Sequence, residues 1–225
     1  MKTLLISFTG FLIPSLILGQ VAGPFHPAIL YNETLPGSSQ QWINTGNAAQ
    51  SDDQYASFGD IADKTGAYTD YLVATNFGFN IPDGVVIIGI AVQIERSDPN
   101  SITNDYKISL VREGQIIQTE FTGQSYPVQD SYQTYGNSTY LWGQNWTYKH
   151  IDDERFGVAI SAMRNSDDGV TAGRIDDIRV TVYYNFTTLP LSLTHLNATK
   201  QGQSVLLNWE TTEESGMEKF IVERS

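Results

Sequence analysis

Tyr126, Tyr132, Tyr135, Tyr140, Trp142, Trp146 and Tyr148 crowd one polar stretch of the chain. Flat ring faces beside amide groups are what stacking against a sugar ring requires, and Tyr132, Tyr135 and Trp142 are the candidate ligand-binding residues. A plainer role competes. In an extended strand Trp142 and Trp146 share parity, point to one face and fill a sheet interior, with the tyrosine hydroxyls at the wet rim. Aromatics are ordinary sheet material, so the interior role takes precedence.

Oxygen donors form a second set: Asp52-Asp53, Asp98 with Asn100, Asn104-Asp105, Asp167-Asp168 and Asp176-Asp177. Calcium takes oxygen ligands in flexible geometry, and strand-joining loops could gather several. None of these clusters has the spacing of a dedicated calcium loop, so solvated turns are the plainer reading. Asp52, Asp53 and Asp176 are the first candidates for calcium, and no other cofactor is expected.

Catalytic signals are weak. The chain has no Cys and three His, at 26, 150 and 195, with no close spacing among them. Thiolate chemistry and sulfur-ligated zinc are thereby excluded. A Gly-x-Ser-x-Gly elbow is missing. A polysaccharide-degrading sandwich enzyme would need only two carboxylates across a cleft, but nothing selects a pair among the many here. The expectation is a non-enzyme.

The elements that must position these residues are strands. Beside 12 Tyr, 10 Phe and 4 Trp stand 19 Gly and 8 Pro, the mix of short strands and tight turns. Without disulfides, a chain of 225 residues must be held by core burial, hence by a sizeable sheet core. Phe77, Phe79 and Ile81 alternate with polar residues ahead of the turn Pro82-Asp83-Gly84, which predicts a hairpin into the run from Val85 to Arg96. There Val86, Ile88, Ile90, Val92 and Ile94 share one face. Tyr106, Ile108 and Leu110 alternate in a partner strand, followed by an edge strand at Ile116 to Phe121. Phe156 to Ala162 and Ile178 to Tyr184 again alternate strictly. His150 to Arg155 predicts one helical turn, with Asp152 and Glu154 favouring its start. The expected fold is all-β: an antiparallel two-sheet, jelly-roll-like sandwich over residues 42–186.

Around this body lie other segments. Met1 to Gly19 carries one early Lys and an interrupted apolar run, the form of a signal peptide rather than a membrane span. Residues 20–41 read as an extended lead-in with one edge strand at Ala28 to Tyr31. Residues 187–190 form a linker ending in Pro190. The strand-like runs Val205 to Trp209 and Phe220 to Arg224 then read as the opening strands of a second small sandwich, as if the chain were part of a longer exported protein.

The formal charge is −12. Residues Gln20 to Tyr184 hold 20 acidic and 9 basic side chains, and Leu191 to Ser225 hold 5 and 3. Such a surface repels phosphate backbones, so nucleic acid and anionic membrane are poor partners. An extracellular glycan or protein, or calcium, fits better, with the protein secreted or at the cell surface.

Trp42-Ile43-Asn44, Asp52 to Ala56, Asp70 to Phe79, Gly89-Ile90, Leu141-Trp142-Gly143 with Trp146-Thr147, Phe156-Gly157-Val158 and Ile175 to Tyr184 together resemble a β-sandwich module of secreted bacterial proteins and some phage structural proteins. The resemblance spans about residues 42–184 and implies architecture without assigned catalytic residues. The tail, Leu189-Pro190-Leu191-Ser192-Leu193 with Val205 to Trp209 and Phe220 to Ser225, resembles the fibronectin type III-like domain that Bacteroidota exported proteins place before a C-terminal type IX sorting domain. Together these imply a non-catalytic extracellular structural or binding module of a larger exported bacterial protein. A carbohydrate-binding module attached to a downstream enzyme is the alternative.

Overall fold

The computed structural model describes residues 19–61, 64–186, 193–202 and 204–211. The signal-peptide segment up to residue 18, the linker at 187–190 and the run Phe220 to Arg224 lie outside the described residues.

Two antiparallel sheets carry the body, with strands numbered along the chain. The first runs β3 (Trp42–Ile43), β4 (Ala56–Phe58), β11 (Arg174–Phe186), β6 (Val85–Ser97), β9 (Ser131–Asn137). β1 (Gln20–Phe25) also pairs with β11, along the far half of the edge that β4 occupies near Arg174. The second sheet runs β2 (Ile29–Glu33), β5 (Tyr71–Thr75), β10 (Gly157–Arg164), β7 (Thr103–Arg112), β8 (Gln115–Phe121). Residues 20–33 are thus more than a lead-in, because they add one strand to each sheet.

Alternating apolar side chains explain why the sheets face each other. Ile90, Val92 and Ile94 from β6 and Ile178, Val180 and Val182 from β11 meet Leu72, Ala74, Ile108, Leu110, Val158 and Ile160 of the other sheet in one buried cluster. Burying this apolar surface is the main stabilising contribution, since no cross-link assists it.

β-Bulges shift strand parity at two places in the core. Opposite Ile160 and Ser161, β7 pairs in step through Ile108 and Lys107, but Ala162 then pairs with Asp105. Tyr106 is the extra residue, so it turns outward to stack on Tyr68 at 4.2 Å while Asp105 turns into the core. A similar slip in β6, where Tyr183 faces Gly89 and Tyr184 faces Ile87, buries Ile87 and leaves Val86 half exposed.

Phe77, Phe79 and Ile81 are buried, but outside any strand. Asn76 and Gly78 adopt left-handed φ of 57° and 70°, which interrupts the extended backbone, and the segment instead folds its aromatics onto Phe156. The helical turn α1 (Tyr148–Asp152) begins earlier than the acidic residues suggest. Thr147 caps it, accepting from the His150 amide, while Asp152 sits at its end and accepts the Ile81 amide at 2.9 Å.

Residues beyond the body form a separate hairpin, β12 (Leu193–Gln201) with β13 (Ser204–Thr211). Leu196 and Trp209 face each other across it and remain exposed.

Candidate functional site

Of the three aromatic candidates, two are interior. Trp142 has no exposed surface and Tyr135 2%. The Trp142 indole donates to the Ile90 carbonyl at 3.0 Å and lies over Gly136, where a Cβ would sit 2.9 Å from the indole nitrogen and 2.3 Å from the Ile90 carbonyl oxygen. Only glycine fits there, at φ +72°. Neither ring offers a face to a ligand. Trp142 and Trp146 do fill the sandwich, but from a turn rather than a strand.

Tyr135 instead completes a buried polar knot between the sheets. Arg96 on β6 donates to Asp105 on β7, the Tyr135 hydroxyl donates to the other Asp105 oxygen, and the Arg96 guanidinium lies 4.3 Å from the Tyr126 ring centre. Arg96 and Asp105 are both fully buried. Burial pushes the Asp105 pKa up, while the Arg96 charge and the Tyr135 hydroxyl pull it back. The Tyr135 and Tyr126 hydroxyls are driven well above the usual phenol value, first by burial and then by the Asp105 charge.

Tyr132 lies on the outer face of the first sheet. Its hydroxyl donates to the buried Asp177 at 3.0 Å, and the Arg179 guanidinium covers its ring at 3.8 Å. His26 contacts the other Asp177 oxygen at 2.8 Å, which ties the chain after β1 to β11.

Asp52, Asp53 and Asp176 do come together, through backbone rather than as a triad of carboxylates. A bulge in β11 projects Asp176, whose two oxygens accept the amides of Asp52 and Asp53 at 3.3 and 3.2 Å. Asp52 accepts the Gln54 amide and the Gln50 side chain. Burial, then the charges of Glu95 and Asp52, raise the Asp176 pKa against the pull of the two amides. Among the described residues no group of three or more His, Asp or Glu side chains could hold a metal ion. The arrangement is a loop latch.

A second buried arginine organises the opposite loops. Arg164 donates to Asp60 at 2.9 Å and to the carbonyls of Ile61, Ser166 and Gly169, and Asp60 in turn accepts the amide and hydroxyl of Thr171.

The remaining candidate was not signalled by any motif. Where β3 meets the edge between the sheets, a groove of about 660 Å³ is lined by Thr34, Ser38, Gln40, Gln41, Ile43 and Asp70, among others. Three contacts build it. Asn32 on β2 brackets the Trp42 backbone, accepting its amide at 2.9 Å and donating to its carbonyl at 2.6 Å. The Trp42 indole donates to the Asp70 carbonyl, and the Asp70 amide to the Gln40 carbonyl. Asp70 Oδ1 then accepts the Leu35 amide and the Ser38 hydroxyl. Asp70 is 3% exposed, and its Oδ2 accepts no hydrogen bond from the described residues.

No family profile matches this chain, and no curated protein or solved structure matches it significantly.

The sites therefore divide by access. In the polar knot, the Asp176 latch and the Arg164 hub the carboxylates are held by protein partners, although Arg96 Nε and the Tyr126 hydroxyl have none among the described residues, whereas the groove sets the unclaimed Asp70 Oδ2 beside the exposed Thr34 and Gln41. The sequence gives little sign of the groove because Thr34 to Gln41 has no periodicity. Its one available signal was the polar run Ser38-Ser39-Gln40-Gln41 just ahead of a buried tryptophan.

Proposed function

We propose that this chain contributes a non-catalytic structural or binding module to a larger exported bacterial protein, secreted or displayed at the cell surface. The hairpin after the sandwich belongs, in this reading, to a fibronectin type III-like spacer of the kind found ahead of type IX sorting domains. One observation supports the non-catalytic reading: among the described residues Asp70 is the only acidic side chain lining the groove, with no second carboxylate there to share acid and base work, and the other buried aspartates are already committed. Asp105 is engaged by Arg96 and Tyr135, Asp177 by His26 and Tyr132, and Asp176 by two amides. A general acid or base must reach the proton it transfers, and these groups are held by protein partners.

Export is tested by fractionating producing cells and sequencing the mature N-terminus. A surface or medium form beginning near Gln20 supports the reading, and a cytoplasmic chain retaining Met1 overturns it. Catalysis is tested by incubating the full chain with a panel of polysaccharides, where any turnover would reject the non-catalytic assignment. A second reading, a carbohydrate-binding module joined to an enzyme, is favoured by the polar groove alone.

A further inference from the structure

The groove beside β3 has a chemistry that narrows its ligand. Its volume of about 660 Å³ lies within the span of small-molecule sites. No Lys or Arg lines it and Asp70 does, so phosphate, sulfate and carboxylate ligands would meet an unfavourable charge. Ile43 is its only large apolar side chain, so an apolar ligand would strip water from surrounding hydroxyls and amides without replacing their hydrogen bonds. A neutral, hydroxyl-rich ligand has neither problem, because each hydroxyl both donates and accepts.

The donors and acceptors are also available. Thr34 and Gln41 are exposed and form no side-chain hydrogen bond with the described residues, and Asp70 Oδ2 is unclaimed. The Gln40 amide nitrogen donates to the Asp60 carbonyl at 2.8 Å, which leaves its oxygen as an acceptor. Ile43, 55% exposed, supplies an apolar wall for the C–H face of a ring. The frame is rigid: the Tyr68 hydroxyl pins the Pro36 carbonyl at 2.8 Å, and Tyr68 is itself stacked on Tyr106. A site fixed in advance loses less entropy on binding.

We infer that this groove binds a neutral saccharide, with Asp70 Oδ2, Gln41 and Thr34 taking its hydroxyls and Ile43 its C–H face. The inference rests on the binding-module reading above and moves the sugar site from the aromatic segment to the sandwich edge. The test uses the full chain with soluble oligomers of glucose, xylose, mannose, galactose and N-acetylglucosamine, by saturation-transfer NMR and calorimetry. At least one oligomer binds. Gln41→Ala and Thr34→Ala each weaken it roughly fivefold, the loss of about one hydrogen bond, without moving the unfolding midpoint. Binding unchanged by both substitutions, or lost only with Tyr132→Ala, overturns the groove assignment and leaves the binding module intact. No binding by any oligomer overturns the saccharide inference while the structural reading stands. Hydrolysis of a bound oligomer would instead break the non-catalytic reading itself.

Discussion

The knot around Arg96 and the groove around Asp70 use the same materials, a buried aspartate, hydroxyls and neighbouring tyrosines, and they do opposite work. Asp105 has both oxygens claimed by protein, one by Arg96 and one by Tyr135, and joins two sheets. Asp70 lines the groove and has one oxygen claimed, while the other accepts no hydrogen bond from the described residues. The difference arises from position, since β6 and β7 lie in opposite sheets and bring Arg96 and Asp105 together in the interior, while β3, two residues long, leaves the edge open. Residue type therefore does not make a polar cluster a site; an unclaimed, accessible atom does.

The strongest way to break that comparison is to break the knot. Asp105→Ala leaves the Arg96 charge buried without a partner and should cost about 3–5 kcal/mol in urea unfolding. A double Arg96→Met, Asp105→Leu variant should lose far less, because it removes both charges together. If the single and double variants are equally stable, the knot is not an ion pair that matters. Tyr135→Phe, which removes one donor and keeps the ring, should cost about 1–3 kcal/mol.

A smaller effect tests the Arg164 hub. Partial burial works against ionisation of Asp60, but the amide and hydroxyl of Thr171 and the Arg164 guanidinium outweigh it and hold the carboxyl below its usual range. A lowered native pKa contributes stability that is complete above the unfolded value of about 4 and is lost as pH falls through the native value. Asp60→Asn should therefore unfold about 1 kcal/mol more easily at neutral pH, and the gap should close with acidification below about pH 4. A gap that stays constant across that window would show that Asp60 acts by shape, not charge.

The groove should behave the other way. Gln41→Ala and Thr34→Ala change exposed side chains and should move stability by less than about 0.5 kcal/mol. A large loss there would make the groove a structural element like the knot.

The contrast also explains what could be read from the chain. β6, β10 and β11 were legible because their apolar residues alternate over long spans against a two-sided core. Alternation with Ile108 and Leu110 would put Tyr106 in the core and Asp105 outside, but a bulge swaps that parity and leaves no mark in the local pattern. That slip hid the knot, because alternation places Asp105 in solvent. Phe77 and Phe79 alternate like a strand, yet residues 76 and 78 take φ values that only the folded loop reveals. The groove joins residues near 34, 41 and 70, and their meeting depends on Asn32 gripping Trp42 across two sheets. Such long-range pairings have no local signature.

The smallest expected effect concerns calcium and the Asp176 latch, the case lying between knot and groove. Burial, and then the nearby charges of Glu95 and Asp52, raise the Asp176 pKa, and those carboxylates would welcome a cation, but both Asp176 oxygens already accept amides. Ligation would require those bonds to be given up and the loop from Gln50 to Gln54 to be rebuilt. A cation bound at a hundredfold excess over its dissociation constant would add about 2.7 kcal/mol, visible as a rise in melting temperature. The latch predicts no such rise when millimolar calcium replaces chelator, and no difference between the native chain and Asp176→Asn in that response. A rise that the chelator reverses and Asp176→Asn abolishes would mean that the amides yield to the metal. Claimed oxygens would then no longer mark a closed cluster, and the distinction between knot and groove would have to be drawn from accessibility alone.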